Sequence, residues 1–252
     1  EVTDNPALHA PINTNHNVYF AALDIKVSWK RSLAKGDVCA VILEGISGVG
    51  GIQVPDEDFL RQLRELTRRY GVVLVLDEIQ SGYGRTGKFF AHQWAGIKPD
   101  LITVAKGIAN GFPFSGVFDQ SDVCRPKRNA RYDVRWQSFG MRRRSGCAEN
   151  YPRGETDREC SSYGSVSDAA VAGTALSAYK RNPGTWADGG VELTVPVKEV
   201  REPLLFEERI FTGYSGLYTL RILPPLVLSK KEVDIFVGSL KKVLDGYYEN
   251  SR

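Results

Sequence analysis

The chain has 252 residues, 42% hydrophobic and 25% charged, with 33 Lys and Arg against 30 Asp and Glu for a formal net charge of +3. That composition suits one large or two small soluble domains with a real core, and so mild a basic excess gives no ground for nucleic-acid binding. No run approaches the roughly 20 apolar residues that a membrane-spanning helix needs. The opening Glu1-Val-Thr-Asp-Asn has neither region of a signal peptide, and Cys39, Cys124, Cys147 and Cys160 lack any Cys-x-x-Cys spacing. Reduced thiols in a cytoplasmic protein, without disulfide or metal, are the expectation.

In chain order, residues 38–44 are predicted as a buried strand running into a glycine-rich loop at residues 48–51. Residues 56–70 read as a helix: Pro55 and Asp56 suit its start, Phe59, Leu60, Leu63 and Leu66 form an apolar stripe, and Gly71 suits its end. Two further strands are predicted at 72–76 and 101–105, with a helical pattern over 89–95 between them. Alternating strands and helices imply an α/β fold with a mostly parallel sheet, whose ligands gather at the carboxyl ends of the strands. Glu44, Asp77 and Lys106 all fall at such ends.

Residues 123–189 carry neither a helix nor a strand period, which reads at face value as loop. A compact domain does not readily accommodate so long a structureless stretch. Beyond it, Tyr218-Thr-Leu-Arg221-Ile-Leu-Pro-Pro225 is predicted as a strand stopped by prolines. Ser229-Lys-Lys-Glu232 is a capping box opening a helix with Val233, Phe236, Val237, Leu240, Val243 and Leu244 on one face.

An acid and an amine, each delivered by a buried strand, are what pyridoxal phosphate chemistry requires: an amine for the aldehyde and an acid for the ring nitrogen. The text around them, Leu76-Asp77-Glu-Ile-Gln80-Ser-Gly-Tyr-Gly84-Arg-Thr-Gly87 and Lys98-Pro-Asp-Leu-Ile-Thr-Val-Ala-Lys106-Gly, resembles class III pyridoxal-phosphate-dependent aminotransferases. With residues 33–46 and 219–226 added, it is most similar to the acetylornithine aminotransferase branch.

The resemblance implies the fold type I architecture of these transferases. Residues 1–122 correspond to part of the cofactor-binding large domain and 190–252 to a partial α+β small domain. Pyridoxal 5'-phosphate is the implied cofactor. Lys106 is implied as the lysine that holds it and shuttles the substrate proton, Asp77 as the partner of the ring nitrogen, Gln80 as the partner of the phenolic oxygen, and Ile79 as packing on the ring. Arg221 matches the arginine that takes a substrate carboxylate, and Glu44 matches a carboxylate near the cofactor. The implied reaction is transamination of N-acetylornithine, or a related acyl-ornithine or ω-amino substrate, with 2-oxoglutarate, as in arginine biosynthesis. The implied assembly is a cytoplasmic homodimer acting on small amino and oxo acids, with no nucleic-acid or membrane partner. Ornithine and 4-aminobutyrate aminotransferases, and semialdehyde mutases, are alternatives within the family.

Three departures bear on activity. Where the family carries a second glutamate that pairs with the carboxylate-binding arginine, this chain has Val49. The family's first third, with the turn and helix N-terminus that hold the phosphate, has no counterpart here. The middle segment matches the family only one base out of frame: a coding sequence for residues 129–140, read one base later, can spell Met-His-Gly-Thr-Thr-Phe-Gly-Gly-Asn-Pro-Leu. That is the family's loop to the neighbouring subunit's cofactor phosphate. The same offset over residues 150–164 and 179–189 restores amphipathic helical text. Two compensating frame changes bracketing roughly residues 123–189 are therefore expected, and that segment should not reproduce the family's helices. Its Arg142-Arg-Arg144 run then needs no function. A catalytically incompetent fragment of the same family is the second reading of the chain.

Overall fold

The computed structural model describes residues 17–21, 27–47, 54–109, 111–119 and 189–250. The glycine-rich loop at 48–51 with Val49, the arginine run, and nearly all of the segment read as out of frame lie outside these residues.

The first unit opens with helix α1 (Val27–Ala34) and strand β1 (Ala40–Glu44), followed by helix α2 (Glu57–Tyr70) and strand β2 (Val73–Asp77). Strands β3 (Leu101–Val104) and β4 (Gly116–Asp119) complete a sheet of order β1-β2-β3-β4. β1, β2 and β3 are parallel and β4 is antiparallel to β3. The mostly parallel sheet expected from alternating elements is thus present.

The sequence signals for α2 act as predicted. The Asp56 side chain accepts from the Asp58 N–H at 3.0 Å, and Gly71 closes the helix in the left-handed conformation at φ 67°. Phe59, Leu60, Leu63 and Leu66 all lie below 10% exposure and pack on Val41, Leu43, Leu74 and Leu76 of the sheet. Each such side chain contributes about 1.5–3 kcal/mol by leaving water. The helix end also explains why β2 starts one residue late. The Val72 N–H is spent on the Thr67 carbonyl at 2.8 Å, so ladder pairing begins at Val73.

One expected helix is not formed. Residues 89–95 contain only a single 3-10 turn, Ala91–Gln93, held by i to i+3 bonds from Gln93 to Phe90 and from Trp94 to Ala91. The Ala91 and His92 N–H groups point at the Glu78 carboxylate, and Gly96 turns the chain away at φ 67°. Tertiary bonds here outcompete the helical period.

The second unit is a three-stranded antiparallel sheet of order β5-β7-β6 backed by two helices. Its elements are β5 (Gly189–Glu192), α3 (Val197–Phe206), β6 (Gly213–Ser215), β7 (Thr219–Ile222) and α4 (Lys230–Asn250). Val191, Val200, Leu204, Leu220, Leu240 and Leu244 form its core. The predicted capping box closes α4: the Ser229 N–H donates to Glu232 Oε2 at 2.6 Å, and the Glu232 N–H to Ser229 Oγ at 3.4 Å. Helix α3 was not legible, because Pro203 stands inside it and removes a donor. Arg85 of the first unit donates through Nη1 to the Pro224 carbonyl of the second at 2.5 Å. No described helix is long and apolar enough to cross a membrane.

Candidate active site

Strand alternation decides which side chains face the site. In β2, Leu74 and Leu76 are fully buried against α2, which turns Val75 and Asp77 to the opposite face. Parallel register then sets Glu44 beside Asp77 and Asp77 beside Thr103, one row across the carboxyl end of the sheet. Parallel strands are ordinarily covered on both faces. Here Ile42 and Val117, on the face that carries Asp77, remain 46% and 54% exposed among the described residues.

Asp77 is half-buried, and its Oδ1 accepts from the Ile79 N–H at 2.9 Å, which fixes the carboxylate at the start of the turn that follows. Ile79 and Gln80 are half-buried in that turn. Lys106 follows β3 directly, opens a 3-10 turn (Lys106–Ala109), and exposes its side chain. Its Nζ donates to Gln80 Oε1 at 3.0 Å across 26 residues of sequence. The structure therefore joins Lys106 to Gln80 directly and Gln80 to Asp77 through one short turn. Glu44 stands next to Asp77 in register. Arg221 lies on β7 of the second sheet, paired in register with Gly190 and Gly213, three residues from the Pro224 carbonyl that Arg85 reaches. Its Nε and Nη2 are withdrawn from solvent.

The Lys106 backbone is strained. Its φ is +44°, a left-handed conformation that non-glycine residues avoid. The next residue is closely packed: a Cβ at Gly107 would lie 3.0 Å from the Tyr83 Cβ, tighter than an ordinary contact. Tyr83, Ile102, Val104, Ile108 and Ala109 form a buried cluster under this turn, so packing holds the strain in place.

Two carboxylates, one fully buried and one partly buried, escaped the sequence reading. Glu78 is 0% exposed and accepts from Ser81 Oγ at 2.5 Å, from the N–H groups of Ala91 and His92 at 3.0 and 2.9 Å, and from His92 Nδ1 at 2.9 Å. The signal was parity: Glu78 continues the inward series Leu74, Leu76, where a charge demands partners. Asp100, just before β3, receives both terminal nitrogens of Arg64 at 2.6 and 2.8 Å and the Leu74 N–H at 2.8 Å. It clamps α2 to β2.

The chemistry of the set suits pyridoxal phosphate. Asp77 is an acceptor for a ring N–H, Gln80 an amide for a phenolic oxygen, and Lys106 an exposed amine for an aldehyde.

The family described as "Aminotransferase class-III" matches residues 7–130. The acetylornithine aminotransferase of Mycolicibacterium smegmatis is 31% identical over 99% of this chain and 65% of its own length. The alanine/serine racemase of Pyrococcus horikoshii is 46% identical over 34% of this chain and 18% of its own. Among solved structures, N-acetylornithine aminotransferase from Stenotrophomonas maltophilia superposes with a TM-score of 0.78 at 25% identity, covering 92% of this chain and 63% of that one. The fold is therefore that of the fold type I aminotransferases, and the chain spans just under two thirds of the length of the first and last of these relatives.

Proposed function

We propose that this chain, similar to class-III aminotransferases over residues 7–130 and to an acetylornithine aminotransferase over 99% of its length, binds pyridoxal 5'-phosphate at this site and carries out transamination between a small amino acid and 2-oxoglutarate. N-acetylornithine, or a related acyl-ornithine or ω-amino compound, is the proposed donor, as in arginine biosynthesis, and a cytoplasmic homodimer is the proposed setting. The contact between Lys106 Nζ and Gln80, at the strand end beside Asp77, carries the proposal.

When bound, pyridoxal phosphate supplies an electron sink that makes the α-proton of an amino acid removable. Asp77, oriented by the Ile79 N–H, holds the proton at the ring nitrogen and so keeps the ring an acceptor of electrons. Gln80 orients the phenolic side and holds the Lys106 amine in reach. The exposed Lys106 Nζ would take the α-proton of the donor and hold it for return, as general base and then acid. Ile79 offers an apolar side chain next to Asp77 for the ring face. Arg221 is proposed to fork onto a substrate carboxylate, in the bidentate geometry that guanidinium favours, and Glu44 to border the pocket beside Asp77.

An alanine/serine racemase is also similar to part of this chain. Racemisation also begins with removal of an α-proton, so that likeness by itself does not select the fate of the proton. The length match to acetylornithine aminotransferase favours transamination.

Adding pyridoxal phosphate to the chain should give the visible absorbance of a lysine-bound cofactor, lost in Lys106→Ala. Mixing with N-acetylornithine, ornithine, 4-aminobutyrate or alanine should bleach it with the proposed donor first. A wild-type chain giving no such absorbance refutes the proposal for this chain and leaves the catalytically incompetent reading.

A further inference from the structure

We propose that Glu78 is a positioning residue for the acid, amide and amine of this site, acting through Gln80 on Lys106. Its cofactor-dependent readout rests on the function proposed above. Glu78 lies between Asp77 and Gln80 in sequence yet points to the opposite side of the sheet, where it is 0% exposed. Its two carboxylate oxygens gather four contacts: Ser81 Oγ and the Ala91 N–H on Oε2, the His92 N–H and Nδ1 on Oε1. With Glu78 as acceptor, His92 carries its proton on Nδ1.

The backbone of the same residue is tied as well. The Glu78 N–H donates to the Thr103 carbonyl at 3.0 Å, three residues before Lys106, and its own carbonyl accepts from the Gly82 N–H at 3.0 Å. A single residue thereby fixes both ends of the segment 78–92 and joins it to β3. The cluster also reaches the remaining site elements. A Cβ at Gly45, next to Glu44, would sit 3.5 Å from Ser81 Oγ and 3.7 Å from Glu78 Oε1. A Cβ at Gly82 would lie 2.7 Å from the Glu78 carbonyl, so the turn has no slack.

Burying a carboxylate is costly, and an apolar plug of similar size holds a turn as well or better. What the carboxylate adds is direction: two acceptor oxygens aim four donors, and that fixes the turn that presents Gln80. Lys106 feels this through its 3.0 Å bond to Gln80.

The test uses the full chain without cofactor. Labelling of Lys106 by an amine-reactive reagent is followed against pH by peptide mass spectrometry, with Lys30 and Lys241 as internal controls. Gln80→Ala removes the acceptor that holds the Lys106 amine at 3.0 Å, so Lys106 should label roughly twofold to tenfold faster, the span of one ordinary hydrogen bond. Glu78→Gln places an amide donor among four donors. It should reproduce that increase, with no further change when combined with Gln80→Ala. A merely structural role would raise all lysines together and add to the Gln80→Ala effect. With pyridoxal phosphate added, the pH titration of the visible absorbance should move in Glu78→Gln as it does in Gln80→Ala.

A folded Glu78→Gln chain with wild-type Lys106 labelling overturns the inference. So does an additive double variant. Should Glu78→Gln fail to fold, Ser81→Ala deletes one donor only and must still speed Lys106 selectively; unchanged labelling there also overturns it. A wild-type chain lacking cofactor absorbance defeats the proposed function, while the labelling arms still decide the role of Glu78.

Discussion

Replacing Lys106 by glycine should leave a more stable protein than replacing it by alanine. Both variants lose the amine and its 3.0 Å bond to Gln80, so their difference isolates the backbone. At φ +44° an L-residue is held in the left-handed region, at a cost of about 1–2 kcal/mol that glycine escapes. Glycine gives back about 0.4–1 kcal/mol through its freer unfolded chain. The net advantage of Lys106→Gly over Lys106→Ala is about 1 kcal/mol, or roughly 2–4 °C in Tm for a chain of this size. In an ordinary helical turn the order reverses, with glycine worse by about 0.8–1.0 kcal/mol. The sign alone is therefore decisive. Urea unfolding followed by tryptophan fluorescence reads it, since Trp29 and Trp94 both lie in the first unit with Lys106. An alanine variant as stable as the glycine variant, or more so, would refute the argument that packing around Tyr83 and Gly107 holds strain at the amine.

Other outcomes follow from the same contacts. Asp100→Ala leaves the Arg64 side chain, only 10% exposed, without its bidentate acceptor and should cost about 3–5 kcal/mol in urea unfolding, much of it restored by adding Arg64→Met. Leu63→Ala empties a position that is 0% exposed between α2 and the sheet and should cost about 2–5 kcal/mol by the same assay. Ser229→Ala breaks the capping box of α4 and should cost about 1 kcal/mol. The hydrogen bonds from Lys242 and Ser239 hold the Glu208 carboxyl below its ordinary 4.5. A depressed acid stabilises the fold above its unfolded value and loses that contribution as pH falls through the folded one. The Tm of the wild type should thus fall more steeply below about pH 4.5 than that of Glu208→Gln, and Lys242→Gln should flatten the profile in the same direction. Identical acid profiles in all three proteins would remove this linkage.

Elements written in short windows were legible. The stripe of α2, its Asp56 and Gly71 ends, and the Ser229–Glu232 box each depend on neighbours within a turn or two, and the structure has them as read. Strands at 73–77 and 101–104 were found within a residue of the expected limits. Elements that break local rules were not: α3 carries Pro203 inside, and β4 is bounded by Gly116 and Asp119, both poor strand formers. The apparent helix over 89–95 gave way to a 3-10 turn because Glu78 captures two of its N–H groups from 13 and 14 residues away.

The sequence alone carried the likeness to class-III aminotransferases and pointed to Lys106 and Asp77, because a signature and a strand end are properties of consecutive residues. Only the tertiary structure decided that Gln80 reaches Lys106, that Arg64 clamps Asp100, and that Glu78 gathers Ser81, Ala91 and His92. The first two contacts span 26 and 36 residues. Contacts of that separation leave no period in the sequence. They arise when parallel register and packing of α2 on the sheet bring distant turns to one end, where a buried charge is tolerated only if its partners are already in place.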